Sequence, residues 1–368
     1  MAEFPEVLNI AMVGHGFIAA VHSNAIHQVR RFFPTRFGLR TQVVCGRDRA
    51  SLQAMADRWG WQETAVDWQT VIERDDIHVV DIATPNILHA PIAIAAAKAG
   101  KIVWCEKPLA TTLTEAADMA EATKNVPTLV WFNYRRIPAV VLAKQMIEQE
   151  RLGEIFHYRA LYLNQSGVDP AKATGWRYRL SEAGSGASGD LLSHCLEMAL
   201  YLNGEIEEVC ASSKTFIKNR DVDDAVMLMA RFSNGSIGTF EATRFGVGFR
   251  NSLSFQIHGS KGMLQFDLED MNSLRFYDAT ETPGVQGTKK LMVPGPDHPY
   301  AGNFWKPGHP IGFEHTFIAT LGDFLSALQT GTTFHPNFND GLKVQKLLEA
   351  ISRSSETRCW QRSLLNES

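Results

Sequence analysis

Two short stretches carry the residue types that could do chemistry. Residues 104–109 read WCEKPL, with Lys107 between a glutamate and a proline, and residues 188–194 read SGDLLSH, with Asp190 and His194 four apart. The run before Lys107, AAAKAGKIVWC, reads as a helix ending on Gly100 and then a short apolar strand, so Lys107 falls at a strand's carboxyl edge, where ligands collect in open α/β sheets. Pro108 disfavours helix at Lys107 and holds the backbone extended there. A cation so placed is either catalytic or incidental. In the second stretch a helix starting near Gly189 puts Asp190 and His194 on one face, so a carboxylate and an imidazole can address one point. That pairing suits proton transfer near neutral pH. The plain alternative has Asp190 capping the helix and His194 satisfied in the core. With Glu197 as the only further ligand type at helical spacing, and no spaced His or Cys beyond, a metal is not expected.

The elements that must position these residues fall into two patterns. From residue 7 to about 130, apolar runs (VLNIAMVG, TQVVCG, VVDIAT, IVWCEK, TLVWFN) alternate with helical segments, the signature of a doubly wound parallel sheet. Afterwards come long alternating stretches, among them IFHYRALYLNQ, DAVMLMARFSNGSIGTFEATRF and SLSFQIHGSKGMLQFDL, with turn signals at Asn234-Gly235 and Gly259-Ser260-Lys261-Gly262. The expectation is an α/β chain: a Rossmann domain over 1–132, then an α/β domain with a large, mostly antiparallel open sheet over 133–368, whose last helices, about 313–330 and 340–356, are free to pack back on the first.

VGHGFIA at 13–19 is a G-x-G-x-x-A pattern between a predicted strand and a predicted helix. Gly14 makes the tight turn, Gly16 lets backbone approach a pyrophosphate, Ala19 permits close packing, and the amides opening the helix at Phe17 and Ile18 face the anion. After the second strand, Arg47 suits the 2′-phosphate of NADP and Asp48 the ribose hydroxyl of NAD, with Gly46 where an acid is expected, so NAD or NADP remains open.

With 36 Lys plus Arg against 40 Asp plus Glu and no long block of one sign, nucleic acid and membrane surfaces are not expected partners. Five scattered cysteines without a C-x-x-C, no basic leader and no long apolar run point to a reducing cytoplasm. The 30–40 insertion RRFFPTRFGLR reads as a lengthened crossover with a solvated arginine face.

The glycine loop with Ala19, EKP at 106–108 and SGDLLSH at 188–194 occur in the order and spacing of the Gfo/Idh/MocA oxidoreductases, and the chain resembles that family over nearly its whole length, most of all the branch of inositol and levoglucosan dehydrogenases, through GWRY at 175–178 and HPYAGNFWKPGHPIGFEHTF at 298–317. The resemblance implies a nicotinamide-dependent dehydrogenase of a secondary hydroxyl on a cyclic polyol or sugar. It also implies a triad of Lys107, Asp190 and His194, with His194 the base, Lys107 holding the substrate oxygen and Asp190 orienting one of them. Whether Lys107 or His194 takes the proton stays open. Cofactor contacts implied are Thr84 and Pro85 at the end of DIATP and Asn86 and His89 after it, together with Glu106 and Lys107; the expected substrate contacts are Tyr134, Arg135, Trp176, Arg177 and His309, with His298, Tyr300 and Trp305 in the same wall. Two rivals keep the fold: an enzyme of a non-sugar such as a trans-dihydrodiol, and a dinucleotide-sensing regulator without turnover. A homo-oligomer, dimer or tetramer, through the open sheet is expected, because AVMLMARF and LSFQIHG leave apolar residues on a face one helix layer cannot cover.

Overall fold

The computed structural model describes residues 4–171 and 173–365. Contacts divide the chain into two compact units, residues 1–133 with 312–342 and residues 134–311 with 343–368.

In the first unit strand and helix alternate: β1 Val7–Val13, α1 Phe17–Phe32, β2 Gly38–Cys45, α2 Arg49–Trp59, β3 Glu63–Ala65, α3 Trp68–Ile72, β4 Val79–Ile82, α4 His89–Lys98, β5 Ile102–Cys105, α5 Leu113–Ala122 and β6 Thr128–Val130. The strands form one sheet in the order β3-β2-β1-β4-β5-β6, with every pairing among the described residues parallel. The order reverses between β1 and β4, and the carboxyl ends of those two strands frame the crevice where doubly wound sheets bind ligands. Every residue of β4, β5 and β6 is buried, because helices cover both faces of a parallel sheet. Each fully buried Val, Ile or Leu there contributes about 1.5–3 kcal/mol. Two elements lie outside the sequence expectation. Edge strand β3 is three residues long and largely exposed, and α3 is a five-residue helix capped by Asp67, both too short to show a period. In the 30–40 insertion Arg30, Arg31, Arg36 and Arg40 are exposed while Phe37 is fully buried.

The second unit carries α6 Pro138–Glu148, β7 Ile155–Leu163, the short α7 Leu180–Ala183, a π-helical turn at Ser188–Leu192 that runs into α8 Ser193–Asn203, and then β8 Ile206–Lys214, β9 Ala225–Phe232, β10 Ile237–Thr243, β11 Ser252–Gly259, β12 Gly262–Asp267, β13 Ser273–Asp278, β14 Thr288–Met292 and α9 Ala301–Phe304. α10 Phe313–Thr330 returns to the first unit, where Gly322 allows close packing: a Cβ there would sit 2.5 Å from the Phe33 ring. α11 Phe338–Thr357 and β15 Gln361–Arg362 are the last elements among the described residues. The nine-stranded sheet runs β14-β13-β12-β11-β7-β10-β9-β8-β15 and is antiparallel except for β7 beside β10. Burial alternates along β9 and β12, one face packed and the other open. Met227, Met229 and Ile237 stand on the open face at 56%, 51% and 58% exposure.

No described helix is long and apolar enough to cross a membrane. The five cysteines are free thiols.

Candidate active site

The glycine loop is built as a phosphate cradle. Gly14 has φ +124°, and a Cβ there would lie 2.3 Å from the Ala83 carbonyl oxygen, so only glycine lets β1 turn this close to the end of β4. Beside Gly16, by contrast, a Cβ would meet no heavy atom within 4 Å, leaving open room over the start of α1. Gly16 caps that helix without a side-chain hydrogen bond, and the first turn holds no acid, so the turn brings no carboxylate of its own to its amides. Two buried side-chain atoms at the same sheet edge, His15 Nδ1 and Thr84 Oγ1, have no protein partner. These features fit a dinucleotide. Ile18 is half-buried, while Phe17 is 76% exposed at the loop's outer side.

At the end of β2 the two residues read as alternatives are put to different uses. Asp48 Oδ1 accepts the Ser51 amide at 2.7 Å, capping α2, and the Ser51 bonds hold its carboxyl below the usual range. Arg47 is exposed. The room an acidic side chain at position 46 would need is taken by His15, whose Nδ1 lies 2.3 Å from the Cβ position of Gly46.

Pro85 leads from β4 into a 3-10 turn, Asn86–Leu88, that opens α4. Asn86 is buried. His89, fully buried, turns Nδ1 to the carbonyls of Pro108 and Leu109 at 3.1 and 3.3 Å and Nε2 to that of Thr84 at 3.2 Å, lacing the loop after β4 to the loop after β5. Burial pushes its pKa down. Lys107 is half-buried directly past β5, and its bond to Pro108 is cis. Glu106 is 8% exposed and turns inward: Oε1 lies 3.1 Å from His22 Nε2, and Oε2 accepts the Lys107 amide at 3.1 Å.

In the second unit the π-helical turn is what presents Asp190. Asp223 caps that turn, accepting from the amides of Gly186 and Ser188 at 2.7 Å each and from the Ser188 hydroxyl at 2.8 Å. Gly186 is required, because a Cβ there would come 1.8 Å from the Asp223 carbonyl oxygen. With Asp223 as the cap, Asp190 is released from the capping role its sequence position also allows. Its Oδ2 instead takes a 3.0 Å bond from Arg244, whose side chain is 1% exposed. Arg244 further donates to the Arg177 carbonyl at 3.1 Å and lies over the Tyr178 ring, 4.9 Å from its centroid. His194, one turn on, packs against the rings of Tyr134 and Tyr162 at 4.7 and 5.8 Å. The Tyr134 hydroxyl lies 3.2 Å from that of Tyr162, which donates to Asn251 Oδ1 at 2.7 Å. Burial, then Tyr134, raises the Tyr162 pKa well above the ordinary phenol range, so it stays a neutral donor.

Of the expected substrate contacts, Tyr134 thus stands beside His194, with Asp190 one turn away. Arg135 donates from Nε to Glu197 Oε1 at 2.6 Å and its guanidinium covers the Tyr201 ring, a part-buried pair that ties the turn after β6 to α8. Trp176 is half-buried under the exposed guanidinium of Arg177, 4.4 Å from the ring centroid. His309 is exposed, Nδ1 on the Lys306 carbonyl at 3.0 Å. Arg244, Tyr162, Asn251 and His22 were not legible as site residues. Among the described residues no group of three His, Cys, Asp or Glu side chains is arranged to hold a metal.

Residues 8–134 match the oxidoreductase family with an NAD-binding Rossmann fold, and residues 140–265 match the GFO/IDH/MocA C-terminal domain. The chain is 40% identical to the levoglucosan dehydrogenase of Pseudarthrobacter phenanthrenivorans over 96% of its own length and 97% of that protein's. It superposes on an oxidoreductase domain protein from Kribbella flavida with a TM-score of 0.94 at 42% identity, covering 96% and 98% of the two chains. A levoglucosan dehydrogenase solved with NADH and levoglucosan gives a TM-score of 0.94 at 40% identity over 97% and 99%.

Proposed function

Since this chain belongs to the GFO/IDH/MocA oxidoreductase family and is a nicotinamide-dependent dehydrogenase of sugar or polyol CH–OH groups, we propose that its substrate is an anhydrosugar of the levoglucosan type, oxidised at a secondary hydroxyl. The observation that carries the substrate is the end-to-end likeness to levoglucosan dehydrogenase. The dinucleotide is held by Gly14, Gly16 and the amides opening α1, with Thr84 and His15 supplying the polar atoms that now lack partners. When bound, it supplies the hydride acceptor.

The chain's own residues do the proton and charge work. A secondary alcohol gives up hydride only as its hydroxyl loses a proton, and His194 takes that proton, an imidazole needing no large perturbation to do so near neutrality. Lys107 holds the same oxygen and stabilises it as alkoxide character grows, an interaction stronger in the transition state than in the ground state. Asp190, fixed at one oxygen by Arg244, orients the imidazole or the ammonium and offsets charge. Trp176 with His309 offers ring and polar tips for a sugar's two kinds of surface. NAD is the working cofactor, and Arg47 allows NADP to be accepted. The enzyme works in the cytoplasm as a homo-oligomer assembled through the face carrying Met227, Met229 and Ile237.

The test is turnover of a panel of anhydrosugars, inositols and a trans-dihydrodiol with each dinucleotide. Highest kcat/KM on an anhydrosugar with NAD is expected. A higher value on an inositol or the dihydrodiol overturns the substrate, and dinucleotide binding without turnover of any member favours the regulator.

A further inference from the structure

The most unusual electrostatic feature of the first unit lies beneath Lys107. His22, on α1, is 0% exposed, yet both of its ring nitrogens face carboxylates: Nδ1 is 3.1 Å from Asp81 Oδ2 and Nε2 is 3.1 Å from Glu106 Oε1. Asp81, in β4, is itself 0% exposed and takes a second bond, 3.1 Å, from Trp131 Nε1. The Trp131 ring stacks on the imidazole at 4.0 Å between centroids, and Phe317 of α10 closes the side at 5.5 Å. Glu106, after its bond to His22, has its other oxygen on the Lys107 amide. The chain of contacts therefore runs Trp131, Asp81, His22, Glu106, Lys107 backbone, across the carboxyl ends of three neighbouring strands.

Two carboxylates in a dry core repel and cost free energy unless a cation or shared protons sit between them. A neutral imidazole donates from one nitrogen only and leaves the other lone pair aimed at a carboxylate oxygen; an imidazolium donates to both. The carboxylates occupy opposite sides of the ring, so the three groups do not converge on a single metal ion. Cys105 is held protonated, chiefly by burial and then by Glu106 and Asp81, and burial lowers the His89 pKa, so neither of these supplies that charge.

We infer that His22 is a positioning residue of the active site, a strut doubly protonated at neutral pH that clamps Asp81 and Glu106 and so fixes the backbone from which Lys107 projects. The inference rests on the reading that Lys107 acts on the reacting oxygen. Burial alone would lower the His22 pKa, but Asp81 and Glu106 together outweigh it and raise it to about 9, in keeping with the geometry. The strut holds the carbonyl end of β5 without lying on the substrate, and it fills with charge a space that a hydrophobic core would fill with a methyl-bearing side chain.

The test has an arm independent of turnover. In the wild-type protein with labelled histidine, ring nitrogen spectra of His22 should show two protonated nitrogens at neutral pH and lose one only in the alkaline range. In His22→Gln, which can donate to one carboxylate but not both, hydrogen exchange at the Lys107 amide should quicken roughly tenfold and kcat should fall roughly tenfold, with NADH affinity within about threefold of wild type. Replacing Glu106 as well, in His22→Gln/Glu106→Gln, should add little to that loss, because the two act through one contact. A His22 ring with one protonated nitrogen at neutral pH overturns the inference, as does a His22→Gln protein with wild-type Lys107 exchange and wild-type kcat. Wild-type turnover in Lys107→Ala, by contrast, contradicts the catalytic use of the lysine and leaves the clamp standing on the spectra.

Discussion

At the scale of single residues, the chemistry rests on groups whose contribution grows along the reaction coordinate. On the proposal that its ammonium meets the reacting oxygen and not the pyrophosphate, Lys107→Ala should lower kcat and kcat/KM together by about 10²-fold or more while NADH affinity stays close to wild type. Steady-state kinetics beside fluorescence titration of NADH separates the two effects; equal loss of binding and turnover would make the lysine a structural cation. On the same proposal, with His194 as the base, His194→Ala should cost about 10²–10⁴-fold and flatten the rise of oxidation rate with pH. The proposal could name these residues because type and local spacing single them out: EKP at a strand edge, and Asp190 four before His194. Arg244 and His22 were not, because their partners lie 54, 59 and 84 residues away in sequence and only the folded sheet joins them. Glu106 illustrates the same limit. The resemblance implied a cofactor contact, and its carboxylate lies on His22 and the Lys107 amide.

At the scale of elements, the long alternations were readable and the irregular turn was not. The regular βα units follow from apolar runs separated by helical periods, and the hairpin signals at Asn234-Gly235 and Gly259–Gly262 sit between β9 and β10 and between β11 and β12. The start of α8 was expected as an ordinary helix capped near Gly189. It is a π-helical turn capped from 30-odd residues away by Asp223, a device with no local sequence signature. Gly186→Ala tests it: the methyl group would collide with the Asp223 backbone, so stability should fall by about 1–3 kcal/mol, with Asp190 displaced and kcat reduced. Thermal unfolding unchanged from wild type would contradict the close approach. The strand-edge clamp has its own signature in pH. His22 is raised from an unfolded value near 6.5 to about 9, so protonation favours the folded state; that stabilisation is complete below pH 6.5 and fades as pH rises through 9. Its size is on the order of 3 kcal/mol. Chemical denaturation at pH 6 and pH 9.5 should show a steeper loss in the wild type than in His22→Gln, and identical slopes would contradict a charged strut.

At the scale of the molecule, a parallel sheet supplies the dinucleotide site and an open antiparallel sheet supplies a large flat face. Methionines at 227 and 229 and Ile237 stand half or more exposed on that face, which favours self-association. Met229→Glu should shift the species seen by light scattering at micromolar concentration towards monomer; a wild-type protein already monomeric there would remove the assembly from the account. The architecture was legible as a whole because both sheets write their period into the sequence, whereas the exact sugar was not, since no local run of sequence encodes ring size or hydroxyl pattern. The central claim is hydride transfer from a sugar carbon to nicotinamide, and the direct measurement is isotopic. With levoglucosan deuterated at its ring carbons and unlabelled NAD, mass spectrometry of the reduced dinucleotide should find one deuterium on the nicotinamide ring per turnover. Dinucleotide that is bound but stays unreduced, or that becomes reduced without label, would contradict it.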